Sequence, residues 1–227
     1  MPSIHFILLE PSVPENVGFS VRALKTMGFN SIRLINPCNH LGKMARKTAY
    51  GSHDLLESAV LYDTLEDCLQ DIDFCVGTTA HKRAGRHDSL DPKEVKETLR
   101  NKGETINSIG ILFGREDRGL EKHEINACDV VSTIPLATAY PSLNLAQSIL
   151  IYAYELKELL VPIEKTSPTK PSGNDYSLVK SELIEILNKK GFDKKPALFQ
   201  RIMDRIALLR EDDLTLLSSL IKKIERN

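Results

Sequence analysis

Six short apolar runs, at residues 4–9, 31–36, 59–62, 74–78, 108–113 and 130–134, constrain this chain more than any other feature of its sequence. They are rich in β-branched and aromatic residues, and most lack the alternating polar side of a half-exposed strand. Strands covered on both faces read this way. Helical patterns at residues 16–27, 54–58, 65–71, 92–102 and 122–127 separate them. Strand alternating with helix predicts an α/β layer, a mainly parallel sheet with helices on both faces. Asp91-Pro92 and Asp63-Thr64 are suited to starting two of these helices.

A later helix, from Leu143 to Tyr154, reads LNLAQSILIYAY and is apolar nearly all round. Such a helix must be covered on both sides. The sheet can cover one; a second domain of the chain or a second subunit must cover the other. Beyond Leu160 the proline-rich stretch 161–175 reads as a linker, and residues 176–190, 196–209 and 213–226 as three amphipathic helices. The predicted organisation is therefore an α/β domain over 1–160, a linker over 161–175 and a small C-terminal helical domain over 176–227.

Composition bears on function mainly by exclusion. With 41% hydrophobic and 27% charged residues, the chain can build a full core. A net charge of −1 gives no global basic signature, so any nucleic-acid binding must rest on local patches. Cys38, Cys68, Cys75 and Cys128 lie far apart without ligand-spaced histidines, which predicts reduced thiols and no metal site. The opening MPSIHFILLEP lacks a basic lead and reads as a strand, not a signal peptide, and a cytoplasmic protein is expected.

Three loops following strands stand out: Gly77-Thr-Thr-Ala-His-Lys-Arg-Ala-Gly-Arg-His87, Gly114-Arg-Glu-Asp-Arg-Gly119 and Pro135-Leu-Ala-Thr-Ala-Tyr-Pro-Ser-Leu-Asn144. Neither a G-x-G-x-x-G fingerprint nor a P-loop is present, so no pyrophosphate cradle is offered. Gly77, Gly114 and Pro135 would let loop backbones surround a ligand of adenosine size. Cations at 82, 83 and 86, at Lys43, Arg46 and Lys47, and at Arg115 and Arg118 fall at one sheet edge on this topology. They are either a polyanion-binding patch or solvated loop charges.

Three motifs, in order and each just after a strand, carry a family resemblance: Asn16-Val-Gly-Phe-Ser-Val-Arg22, Phe113-Gly-Arg-Glu-Asp-Arg-Gly-Leu120, and Ile134-Pro followed by Ser142-Leu-Asn-Leu-Ala-Gln147. Over residues 4–158 the chain resembles the SPOUT RNA 2′-O-ribose methyltransferases, and most of all the TrmJ-type tRNA enzymes. The resemblance implies a C-terminal trefoil knot, a homodimer through the helix at 143–160, and an S-adenosylmethionine site at Thr78, Thr79, Ala80, Gly114, Ile134, Leu136, Pro141, Ser142 and Leu143. It implies catalytic roles for Arg22, Ser142 and Asn144, and RNA contacts by Asn16, Lys82, Arg83, Arg86 and Arg115. Asn16 and Asn144 could instead be plain helix caps, and Arg22 a surface ion-pairing residue. The implied substrate is tRNA, at the anticodon-loop pyrimidine numbered 32, with the tail helices aiding docking; the alternatives are a ribosomal RNA 2′-O-methyltransferase and a non-catalytic RNA-binding protein. The tail carries only Arg201, Arg205 and Arg210 between 196 and 210, fewer cations than the branch leads one to expect.

Overall fold

The computed structural model describes residues 2–80, 89–138, 142–161 and 175–225. Seven strands build one sheet: β1 (Ser3–Leu9), β2 (Ile32–Ile35), β3 (Val60–Tyr62), β4 (Phe74–Thr78), β5 (Ser89–Leu90), β6 (Ser108–Phe113) and β7 (Val130–Ser132). Their order is β3-β2-β1-β6-β4-β7-β5, and each pairing is parallel. The six apolar runs all become strands. The seventh, β5, has no apolar run of its own; Leu90 pairs with Ser132, and its carbonyl accepts from the Thr133 N–H at 2.9 Å.

Side chains alternate across the sheet, so β1 sends Phe6 and Leu8 to one apolar cluster and Ile7 and Leu9 to another. The first face is covered by α1 (Pro14–Thr26), α5 (Pro92–Lys102) and α7 (Leu145–Leu156), the second by α4 (Leu65–Leu69) and α6 (Lys122–Asn126). Two further short helices, α2 (Lys43–Thr48) and α3 (His53–Glu57), flank α1. Helix α2 is absent from the sequence reading because six residues with one buried side chain, Ala45, display no period. Gly18 is where α1 meets α2: a Cβ there would run into Thr48 and the Ala45 carbonyl. Capping boxes start α5 at Asp91 and α7 at Asn144.

Among the described residues, helix α7 is covered on one side only. Ile149, Tyr152, Ala153 and Leu156 are buried, while Leu150 and Tyr154 are 40% and 56% exposed.

The tail forms α8 (Tyr176–Lys189), α9 (Pro196–Ala207) and α10 (Glu211–Glu225), with Gly191 in a left-handed conformation (φ 77°) after α8. Tyr176, Ile206, Leu214 and Ile221 are buried in the cluster of the first sheet face. Lys102 lies completely buried at this junction, its Nζ 4.1 Å from the Tyr176 ring centroid and 5.3 Å from that of Phe74. No carboxylate among the described residues lies within ion-pairing distance of it; burial is the main force on the amine and lowers its pKa to about 7.

A folded pKa of about 7 lies below the lysine's ordinary 10.5. Between those values the unfolded chain binds the extra proton, so Lys102 makes stability rise with pH across that window. Lys102→Met removes this dependence. Its stabilisation over wild type in thermal melts should be largest at pH 7 and below, and shrink by on the order of 1 kcal/mol per pH unit on approaching pH 10. A pH-independent difference would show that Lys102 is not buried as an amine.

Candidate active site

The carboxyl ends of β4, β6 and β7 are level: Gly77 pairs with both Leu112 and Val131, and Thr78 with Ser132. Ligands of open α/β sheets bind at such an edge. The loops leaving these strands enclose, with the entrance of α7, a cavity of about 440 Å³. Thr78, Thr79 and Ala80 line it after β4, residues 114–120 after β6, and Ile134 and Leu136 after β7. Ser142, Leu143 and Asn144 line it ahead of α7, and Asn16 from α1. The sequence motifs thus converge on one space from four segments distant along the chain.

The loop after β6 is closed by its own backbone. The Gly119 N–H donates to the Arg115 carbonyl at 2.9 Å, and Gly119 has φ 68°, a conformation that favours glycine. A Cβ at Gly114 would collide with the backbone of Gly119 and Leu120. This glycine was expected to make room for a ligand; in the structure it makes room for the returning arm of its own loop.

Arg115 needs a larger correction, since an RNA contact was expected of it. Its side chain is only 9% exposed and is held between two acids. Nε and Nη2 donate to Glu10 at 2.6 and 2.9 Å, and Nη1 to Glu124 at 2.9 Å. The forked guanidinium suits this double pairing, and it holds the Glu10 carboxyl below the ordinary range. Arg115 therefore fastens the loop to the end of β1 and to α6. Arg118 is 54% exposed and lies within 4 Å of Glu10, Asp117 and Glu121.

Glu116 does what no residue of α1 does. The helix begins after Val13, which has no side chain able to cap it. The Glu116 carboxylate accepts instead from the Ser12 N–H (3.0 Å) and hydroxyl (3.1 Å), the Val13 N–H (3.3 Å) and Asn16 Nδ2 (3.1 Å). Burial pushes its pKa up, but the hydrogen bonds from Ser12 and Asn16 prevail and hold it below the usual value. The carboxylate only accepts, so Asn16 turns its NH₂ toward it and its Oδ1 away. Asn144 Nδ2 donates to that oxygen at 2.9 Å, and Asn144 Oδ1 accepts from the Ala146 N–H at 2.8 Å. Asn144 is thus both helix cap and network member. Asn16, a candidate cap or RNA contact, is neither at the N-cap nor exposed; it is 8% exposed and links the two loops.

Tyr152 closes the floor of the cavity, its hydroxyl donating to Ser132 at 2.6 Å and its ring edge-on to Phe113 at 5.5 Å. Glu10, Glu124 and Tyr152 were not singled out from sequence. Their only signal is position: Glu10 at a strand end, Glu124 inside a short polar helix, and Tyr152 inside a helix that looks purely apolar. Arg22 is not brought to the cavity of its own chain. It is exposed on the outer side of α1, without an ion-pair partner among the described residues. Pro141, Lys82, Arg83 and Arg86 lie outside the described residues. Among the described residues no group of His, Cys, Asp and Glu could hold a metal ion, and no helix is long and apolar enough to cross a membrane.

Residues 3–154 match the model of the SpoU rRNA Methylase family. The chain is 33% identical to the uncharacterized tRNA/rRNA methyltransferase LasT of Escherichia coli K12, over 99% of this chain and 98% of that protein. It is 29% identical to the tRNA (cytidine/uridine-2′-O-)-methyltransferase TrmJ of Photorhabdus laumondii, over 100% and 98%. Among solved structures, TrmJ from Z. mobilis shares the fold with a TM-score of 0.65 at 24% identity, covering 99% of each chain. The SpoU methyltransferase AviRb from Streptomyces viridochromogenes, in complex with the cofactor AdoMet, does so with a TM-score of 0.57 at 19% identity, over 70% of this chain and 62% of that one.

Gly114→Ala should destabilise the protein by about 1–3 kcal/mol, because the loop arms must separate to admit the methyl group. An unchanged thermal midpoint would show that the loop is not closed in this way.

Proposed function

The chain belongs to the SpoU rRNA methylase family, and we propose that it transfers a methyl group from S-adenosylmethionine to a ribose 2′-hydroxyl of tRNA. One observation carries this reading: each described residue that the motifs point to as cofactor-binding lines the same cavity. The tRNA substrate rests on the activity named for the TrmJ relative. A pyrimidine at position 32 of the anticodon loop is the nucleotide we assign, and the cytoplasm the compartment.

The cavity fits the cofactor. Its volume of about 440 Å³ lies within the usual range for small-molecule sites. Leu120, Ile134, Leu136 and Leu143 offer apolar walls for a purine, and backbone from three loops offers hydrogen bonds. Glu116 and Asp117 in the wall suit a cation. When bound there, the cofactor supplies an electrophilic methyl group on a sulfonium. The same lining residues would hold it, with Thr78–Ala80 and the 114–120 loop at one side and residues 142–144 at the other. We further propose that the chain ahead of α7 returns through these loops as a trefoil knot.

The acceptor 2′-oxygen gains negative charge as it attacks. Arg22 suits the stabilisation of that charge together with a neighbouring phosphate, since its planar fork can hold two oxygens. A guanidinium holds its proton too firmly to serve as a base, so its role is electrostatic. Ser142 and Asn144, which line the cavity, orient Arg22 and the cofactor.

Arg22 points away from its own cavity, so a second copy of the chain must bring it to one. The outer side of α1 and the neighbouring α7 expose Phe19, Leu150 and Tyr154 at 48%, 40% and 56%, an apolar patch beside Arg22. A homodimer through this patch would cover the free side of α7 and carry Arg22 to the partner. Ile149, equally apolar, is fully buried in its own core and takes no part in the interface.

Arg22→Ala should leave cofactor affinity unchanged by calorimetry and slow single-turnover methylation of tRNA by about 3–4 kcal/mol, some hundreds-fold. Arg22→Lys should recover part of the rate. Near wild-type turnover in Arg22→Ala would remove Arg22 from the chemical step. Separately, Leu150→Glu should give a folded monomer by light scattering, inactive but able to bind cofactor, whereas Ile149→Glu should unfold. A dimeric, active Leu150→Glu would place the interface elsewhere.

A further inference from the structure

Helix α2 and the turn that follows it carry a surface the reaction does not account for. Its exposed residues include Lys43 and Lys47, spaced i, i+4 as a stripe of two cations on α2, and Tyr50, which stands three residues on in the turn. Neither lysine has an ion-pair partner among the described residues. The nearby charges, by contrast, are engaged. Arg46 donates to Glu57 at 2.6 Å and to the Leu41 carbonyl at 3.0 Å, and Lys25 pairs with Asp54. The acids of α3 are thus already matched, and the stripe keeps its positive charge.

Tyr50 is 75% exposed, the most exposed large apolar side chain among the described residues, yet its backbone is fixed. It stands in a tight turn in which the Ser52 N–H donates to the Ala49 carbonyl at 2.8 Å and Gly51 takes φ 74°. Both ends of that turn are anchored, Ala49 at 0% and Ser52 at 3% exposure. Met44, 46% exposed, extends the apolar part of the surface. An aromatic ring held out on a rigid turn beside unpaired lysines combines a stacking platform with phosphate contacts, which is how unpaired RNA bases are held without base-edge readout. The stripe also adjoins the reaction's unpaired arginine. Gly18 of α1 packs directly on Ala45 and Thr48 of α2, and Arg22 follows one turn later on the same side of α1.

We propose that Lys43, Lys47 and Tyr50 form an RNA-docking ledge: the lysines contact backbone phosphates, and Tyr50 stacks on an unpaired base of the same RNA that presents its ribose to the cavity. The inference rests on the RNA-methylating function above and adds a specificity element, a demand for a single-stranded nucleotide near the target.

Binding of three RNAs to the full-length protein tests it: total tRNA from cells lacking this gene, an RNA hairpin with an unpaired loop, and a blunt RNA duplex. Lys43→Ala/Lys47→Ala should weaken binding to all three and flatten the slope of log K against log salt by about 1.4 where the contacts fall on single strand and about 1.8 where they fall on duplex, from coefficients of about 0.7 and 0.9 for each lost phosphate contact. Tyr50→Ala should weaken the tRNA and hairpin on the order of tenfold and leave the duplex unchanged, with Tyr50→Phe close to wild type. All three side chains are exposed, so thermal midpoints and cofactor affinity should match wild type. Wild-type affinity and salt slope in the lysine variant, or equal losses on hairpin and duplex in Tyr50→Ala, would overturn the ledge and leave the surface to a partner of another class. The wild-type protein's own methylation of tRNA, read in the same samples, separates this failure from that of the functional reading. Methylation with unaffected variants refutes the ledge alone, and wild type without binding or methylation refutes both.

Discussion

The Glu116 carboxylate is the interaction on which the site depends. It receives four hydrogen bonds at the entrance of α1, where the helix's own residues supply no cap. An acceptor there satisfies backbone donors and opposes the positive end of the helix dipole. Because one Glu116 oxygen also fixes the orientation of Asn16, and Asn16 in turn that of Asn144, one acid sets the relative positions of three segments. These are the β6 loop, the first helix and the chain entering α7. The cavity is the space left between them.

The same economy governs the arginines. A loop with two arginines and two acids between its glycines invites the expectation that the cations face a polyanion. Packing forbids this for Arg115, which neutralises Glu10 and the buried Glu124. A buried acid without such a partner would be costly, so structure claims the arginine before function can. Charge for RNA must then come from residues with no internal acid to satisfy. Among the described residues of the first two helices, Arg22, Lys43 and Lys47 meet that condition. Helix α1 therefore divides its duties by face: Val17, Val21 and Leu24 toward the sheet, Gly18 toward α2 with the exposed Arg22 one turn on along the same side, Asn16 toward the cavity, and Phe19 outward.

Much of this was legible in the sequence. The six apolar runs marked six of the seven strands, and the motifs marked the loops that meet at the cavity, because a buried strand and a glycine turn each leave a local signature. What was not legible depends on partners far along the chain. Strand β5 is defined by pairing alone, and α2 is too short to show a period. The direction of Arg115 is decided by Glu10 and Glu124, and the reason for Gly114 by the return of its own loop. Helix α7 illustrates both cases: its apolar character announced a buried helix, but only the fold separates Ile149, which is buried in the core, from Leu150, which is 40% exposed.

The central claim is that this cavity delivers a methyl group to a ribose oxygen of tRNA. The most direct test is to incubate the protein with tRNA from cells lacking this gene and isotopically labelled S-adenosylmethionine, digest the tRNA to nucleosides, and locate the label by mass spectrometry. The account predicts label in a 2′-O-methylated pyrimidine nucleoside, on the sugar fragment. Label on a base fragment, or none in tRNA while the protein binds the cofactor, would contradict it.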